Sequence, residues 1–146
     1  MSKTIQVSVE IDSSIEKVWK EASRLENHVN WMVDAKEIVI STNTNHGIGT
    51  IMKVLTKVGP IKLNDIMTIT SWVEEKEIGV EHQGIVSGHG KFTLNKIPLN
   101  KTLFTWEETL NFPIFLLGPF GEFFGQYILK FIWQGNLNRL KNTLEQ

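Results

Sequence analysis

Alternation of apolar and polar positions is cleanest over Thr102–Phe112. Phe104, Trp106, Leu110 and Phe112 share one face there, and Thr105, Glu107, Thr109 and Asn111 share the other. Strand side chains point to opposite faces in turn, so this segment reads as a strand with one buried side. Glu108 falls on the apolar face. A carboxylate in that position either meets a hollow that holds water or ligand, or it is costly. Thr4–Ile11 has the same period, with Ile5, Val7, Val9 and Ile11 inward and Gln6, Ser8 and Glu10 outward. Further strands are expected at about Ala35–Thr42, Thr50–Val58, Lys62–Ser71, Ile78–Gly84 and Lys91–Ile97. Val58-Gly59-Pro60 and Pro98-Leu99-Asn100-Lys101 are turn signals between them. Short connections between consecutive strands imply antiparallel hairpins.

The period changes to helical in two places. Ser13-Ser14-Ile15-Glu16 has the S-x-x-E form of a capping box and opens a helix to about Ser23, with Val18, Trp19 and Ala22 as its apolar stripe. Residues 24–32 read as a short second helix or loop. After Pro113 a long helix runs to the C-terminus. Leu129, Trp133, Leu137, Leu140 and Leu144 line one side of it, in the same sector as Gly118 and Gly125. Phe120, Phe124, Tyr127 and Phe131 line a different side. Packing of that second face against Asn27–Met32 is one expectation. A second subunit, a ligand at a pocket mouth or a membrane surface is another. Gly118, Gly121 and Gly125 would loosen this half of the helix and suit a mobile gate.

A run of strands with helices at its two ends is an α+β arrangement. A curved seven-stranded antiparallel sheet wrapped around the long C-terminal helix satisfies it. No linker, repeat or low-complexity run divides residues 1–146, so one ligand-binding domain is expected.

Composition then narrows the partners. Lys+Arg 15 against Asp+Glu 16 leaves a net charge of −1, which argues against nucleic acid. Arg24 and Arg139 are the only arginines, so bidentate phosphate recognition is poorly supplied. Without cysteine there is no disulfide, thiolate metal site or thiol nucleophile. Met1–Glu10 lacks the form of a signal peptide, making a cytoplasmic location the default expectation. Ile114–Trp133 is long enough to span a bilayer, but Glu122, Gln126 and Lys130 form a polar stripe along it. An amphipathic helix is expected, with peripheral membrane contact open and no transmembrane segment.

Strand parity yields the candidate chemistry. Asp65 shares a face with Leu63, Met67 and Ile69; His82 shares one with Ile78 and Val80. Asp65, His82 and Glu108 therefore come from three strands, each on the more apolar face. One reading is acid–base catalysis or polar anchoring of a ligand, since a carboxyl in a low-dielectric pocket favours its neutral form and an adjacent imidazole can relay a proton. The other is that each is satisfied by backbone or water, or lies at a strand end in solvent. Gly84, Gly88 and Gly90, near the hairpin after the His82 strand, would widen the hollow. Trp31, Met52, Met67 and Trp106, with Gly125, Leu129 and Trp133 from the helix, form the expected ligand-lining set; they suit an ordinary core equally well. Trp72 reads as a structural plug at a turn, and His46 as a solvated turn residue. No metal spacing, nucleophile elbow or phosphate loop is present, so no metal and no cofactor is expected.

The segments VSVEIDSSIEKVWKEAS, ENHVNWM and TLFTWEETLNFP together resemble the START/SRPBCC superfamily, which includes the birch pollen allergen family and polyketide cyclase/dehydrase-like proteins. The resemblance covers essentially the whole chain. It implies the helix-grip fold and an apolar or amphipathic small molecule, such as a lipid, quinone or polyketide-like ring system, held between sheet and helix. It also implies a runner-up: a cyclase/dehydratase-type enzyme with Glu108 and His82 as acid–base groups. Either a monomer or a homodimer is compatible with it.

Overall fold

The structure is a computed structural model that describes the backbone of residues 2–146 and the side chains of residues 4–113 and 125–146. Strand β1 (Ser2–Ile11) leads into helix α1 (Ile15–Ala22) and a 3-10 turn (Leu25–Asn30). Six strands follow: β2 (Ala35–Ile40), β3 (Ile51–Val58), β4 (Ile61–Val73), β5 (Glu77–Gln83), β6 (Ser87–Ile97) and β7 (Lys101–Asn111). Helix α2 (Ile114–Glu145) closes the chain. All seven strands form one antiparallel sheet in the order β1-β7-β6-β5-β4-β3-β2, open between β1 and β2. This is the expected α+β helix-grip arrangement.

Two local readings need correction. The capping serine of α1 is Ser14, whose Oγ accepts from Lys17 N at 3.3 Å. Glu16 falls too early to close a reciprocal box. Ser13 is instead buried, and its carbonyl accepts from Thr102 Oγ1 at 2.8 Å. Strand β6 begins at Ser87 rather than Lys91, so Gly88, His89 and Gly90 are strand residues, with His89 paired to Thr109. Glycine weakens strand signals because it offers no side chain to pack, which hid this end of β6.

Helix α2 packs closest to β1, the edge strand. Gln134 Nε2 and Lys141 Nζ donate to the carbonyls of Ser8 and Glu10 at 3.0 and 2.9 Å. These bonds occupy acceptors on a strand edge that would otherwise invite another chain. Trp133, Leu137, Leu140 and Leu144 are buried, with Leu129 half-buried beside them, as the helical stripe predicts.

The same helix carries a buried polar latch that the sequence reading missed. Asn136 Nδ2 donates to Asp34 Oδ1 at 2.7 Å, and Trp133 Nε1 donates to Asp34 Oδ2 at 3.2 Å. Val33 N donates to Asn136 Oδ1 at 3.1 Å, and Arg139 Nε to the Trp31 carbonyl at 3.1 Å. A buried group left unpaired costs about 1–3 kcal/mol, so the set holds only when it is complete. It fixes the C-terminal half of α2 to the Trp31–Asp34 segment.

On the second apolar face of α2, Phe131 does not pack against Asn27–Met32. Phe131 is 82% exposed and Tyr127 is 55% exposed. Phe120, Phe124, Gly118, Gly121 and Glu122 lie outside the residues whose side chains are described. Among the described residues, no helix is long and apolar enough to cross a membrane. Trp72 packs edge-on to Trp19 with ring centroids 5.5 Å apart, as a plug would, and His46 is exposed at its turn.

Candidate functional site

Between the sheet and α2 lies a cavity of about 240 Å³. Its wall is almost wholly apolar. Met52, Val54, Leu63, Met67, Ile78 and Val80 come from the sheet, and Gly125, Leu129 and Trp133 from α2. Lys53, Lys57 and Lys62 alternate to the exposed outer face of β3 and β4, as the period of two requires. Trp106 of β7 and Trp133 of α2 stack with centroids 4.7 Å apart and planes inclined by 19°. Stacking of this kind adds about 0.5–1.5 kcal/mol beyond burial, and both rings border the cavity.

Of the expected lining residues, Met52, Met67, Trp106, Gly125, Leu129 and Trp133 border the cavity. Trp31 does not. It lies one layer back, buried against His28, Phe92, Phe104 and Trp106. Its position in a segment without strand parity left its orientation unreadable from sequence.

Asp65, His82 and Glu108 all border the cavity and all are buried. Glu108 sits on the inward face of β7 between Trp106 and Leu110. Its partner in register on β6 is Gly90, and the partner of Gly90 on β5 is Val80. His82 lies two residues along β5, opposite Gly88. Strands two apart are roughly 9.5 Å from each other, so a side chain on β6 would normally separate β5 from β7. The two glycines remove that obstacle. A Cβ on Gly90 would fall 2.5 Å from Glu108 Cδ, so the carboxyl lies directly over the bare backbone. Asp65 occupies the equivalent space over Gly84.

Across this gap His82 Nε2 approaches Glu108 Oε2 at 2.7 Å. Glu108 Oε1 accepts from Trp106 Nε1 at 3.2 Å. Asp65 Oδ1 has no hydrogen-bond partner among the described residues. Burial opposes the protonated form of His82, but the charge of Glu108, their contact and the charge of Asp65 outweigh it and raise the imidazole above its ordinary value. Burial raises the Asp65 carboxyl, His82 opposes that and Glu108 adds to it. The arrangement pairs a favoured imidazolium with one carboxylate and leaves a second carboxyl free to hold a proton or receive one.

His82 also borders a second, more polar recess outside the β5–β6 hairpin, formed by Glu81, Gln83, Ser87 and His89. It thus stands between the cavity and the outer surface of that hairpin. No group of three or more His, Cys, Asp or Glu suited to a metal ion occurs among the described residues.

Sequence reasoning missed His28 and Asp34, which also border the cavity. His28 Nε2 lies 2.7 Å from the Ala22 carbonyl and donates to it as the neutral ring. Burial lowers its pKa to about 4, against the Ala22 bond and Glu26, so it stays uncharged near neutral pH. Neither residue lies in a strand or regular helix, so parity gave no signal.

No protein-family model matches the chain, and no curated protein matches it in sequence. Solved structures do match. TTHA0849 from Thermus thermophilus superposes with a TM-score of 0.84 at 14% identity, covering 97% of each chain. A START superfamily protein from Mycobacterium smegmatis gives 0.80 at 15% identity, covering 98% of this chain and 97% of its own. The Zhui aromatase/cyclase from Streptomyces sp. R1128 gives 0.76 at 12%, covering 99% of this chain and 94% of its own. The likeness is one of fold: the chain has the START-like helix-grip fold.

The His82 shift sets a pH dependence. The imidazole's folded value lies above its ordinary 6.5, so its contribution to stability is fully present below that pH and is lost as pH rises through the raised value. The difference in unfolding free energy between wild type and His82→Gln, measured by urea denaturation, is predicted to be largest below about pH 6 and to shrink toward pH 9. A difference that is flat or grows over this range would contradict the assigned pair.

Proposed function

We propose that the protein binds an apolar or amphipathic small molecule in the cavity between sheet and α2. The observation that carries this reading is the cavity itself, about 240 Å³ with an almost wholly apolar wall. An apolar wall left without a partner forfeits the dispersion contacts its side chains would make, so a hollow of this chemistry favours an apolar occupant. An apolar void of about 150 Å³ accommodates benzene, so the present one suits a body of roughly ten to twelve non-hydrogen atoms. Lipid-like chains, quinones and fused rings fall in this class. The fold shared with a START superfamily protein and an aromatase/cyclase supports the reading.

The direct test is denaturing extraction of freshly purified protein followed by mass spectrometry. One apolar compound in near-stoichiometric amount is the expected result. An empty extract from folded protein would remove tight carriage from the account.

One observation favours a second reading, acid–base chemistry of the cyclase/dehydratase type. Glu108 and His82 form a close pair on the cavity wall, and His82 also borders the outer recess, a route for protons that avoids the apolar wall. General acid–base groups contribute about 10²–10⁴ in rate. For the compound class recovered by extraction, Glu108→Gln is expected to lose turnover by that factor with affinity changed less than about tenfold. Undiminished turnover would leave binding alone.

A further inference from the structure

The cavity is apolar, yet its ionisable groups are unevenly matched in sign. Asp34, Asp65 and Glu108 border it. Among the described residues that border it, His82 is the one group placed to carry positive charge, since burial keeps His28 neutral. No lysine or arginine lines the cavity among the described residues, and residues 114–124 contain neither. The carboxylates also differ in what they already hold. Asp34 accepts from Trp133 and Asn136, and Glu108 engages Trp106 and His82. Asp65 Oδ1 is buried and has no hydrogen-bond partner among the described residues, in a side chain only 7% exposed.

We infer that the cavity selects an apolar body carrying a protonated amine, with the nitrogen at Asp65, and turns away carboxylates. The inference rests on the ligand-binding reading above and names its ligand class. A buried acceptor without a donor is costly, and an N–H from the ligand supplies that donor. An ammonium there would favour the ionised form of Asp65 and pair with it, which offsets its own desolvation, while Glu108 is already engaged by His82. A carboxylate in the same place brings no donor to Asp65, and the facing cation, His82, is already engaged by Glu108.

Three probes of nearly equal size separate charge from shape: 2-naphthylmethylamine, 2-naphthylmethanol and 2-naphthoate. Each has about 12 or 13 non-hydrogen atoms, close to the size argued above. Titration calorimetry at pH 7 is expected to give affinities in the order amine, alcohol, carboxylate, with the amine at least about tenfold tighter than the carboxylate. In Asp65→Asn the lead of the amine over the alcohol is expected to fall to within about twofold. Naphthoate binding as tightly as the amine would overturn the inference, and so would an amine lead that survives Asp65→Asn. If Asp65→Asn does not fold, the wild-type order decides alone. Equal binding of all three sinks charge selection and leaves the ligand-binding reading standing. Binding of none sinks that reading and this inference with it.

Discussion

The site depends on one steric fact: β6 has no side chains where β5 and β7 need to meet. Gly90 lies between Val80 and Glu108 in register, and Gly88 lies between His82 and Leu110. A methyl group at Gly90 would fall within the Glu108 carboxyl. At Gly88 the backbone has φ 145°, and a Cβ there would collide with the Thr109 carbonyl. The missing side chains therefore serve both the backbone and the chemistry. They let a carboxylate and an imidazole from strands two apart come within 2.7 Å inside an apolar shell. Without that gap Glu108 would be a buried charge with an indole N–H and little else to answer it.

The cavity needs a second support, because a helix drawn fully onto the sheet would fill it. The latch around Asp34 and Asn136 fixes α2 from Trp133 onward, where Leu137 and Leu140 are wholly buried. The cavity opens N-terminal to that anchor, beside Gly125 and Leu129. Trp133 belongs to both regions. Its indole nitrogen donates to Asp34 and its face stacks on Trp106. The fold thus gives α2 a firmly held end from Trp133 onward and, at Gly125, Ile128 and Leu129, a stretch that borders the cavity.

Much of this was legible from strand parity. The period of two placed Asp65, His82 and Glu108 on the inner face, and each borders the cavity. Parity could not say that they would meet, because that depends on register between strands and on Gly90 being a strand residue. The glycines read as a hairpin, since nothing in Gly88-His89-Gly90 alternates. The latch was missed for a different reason. Asn136 stands at the edge of the apolar stripe, three residues after Trp133 and four before Leu140, and only the approach of Asp34 from a distant loop makes it a buried anchor. Trp31 was legible as an inward aromatic but not as a residue behind the wall, because its segment has neither helical nor strand period. The packing expected between the second α2 face and Asn27–Met32 fails at Phe131, where helical position set a direction but nothing in the sequence fixed what stood opposite.

The central claim is that the cavity is a ligand site, and the methionine methyl groups test it most directly. Met32, Met52 and Met67 border the cavity from the 3-10 turn's end, β3 and β4. Methyl NMR of methionine-labelled protein titrated with 2-naphthylmethanol reads those positions separately from the exposed Phe131 face. The account predicts that all three methyl signals shift together and saturate near one equivalent. Saturable binding with these signals unmoved would contradict it, because the ligand would then lie elsewhere on the molecule.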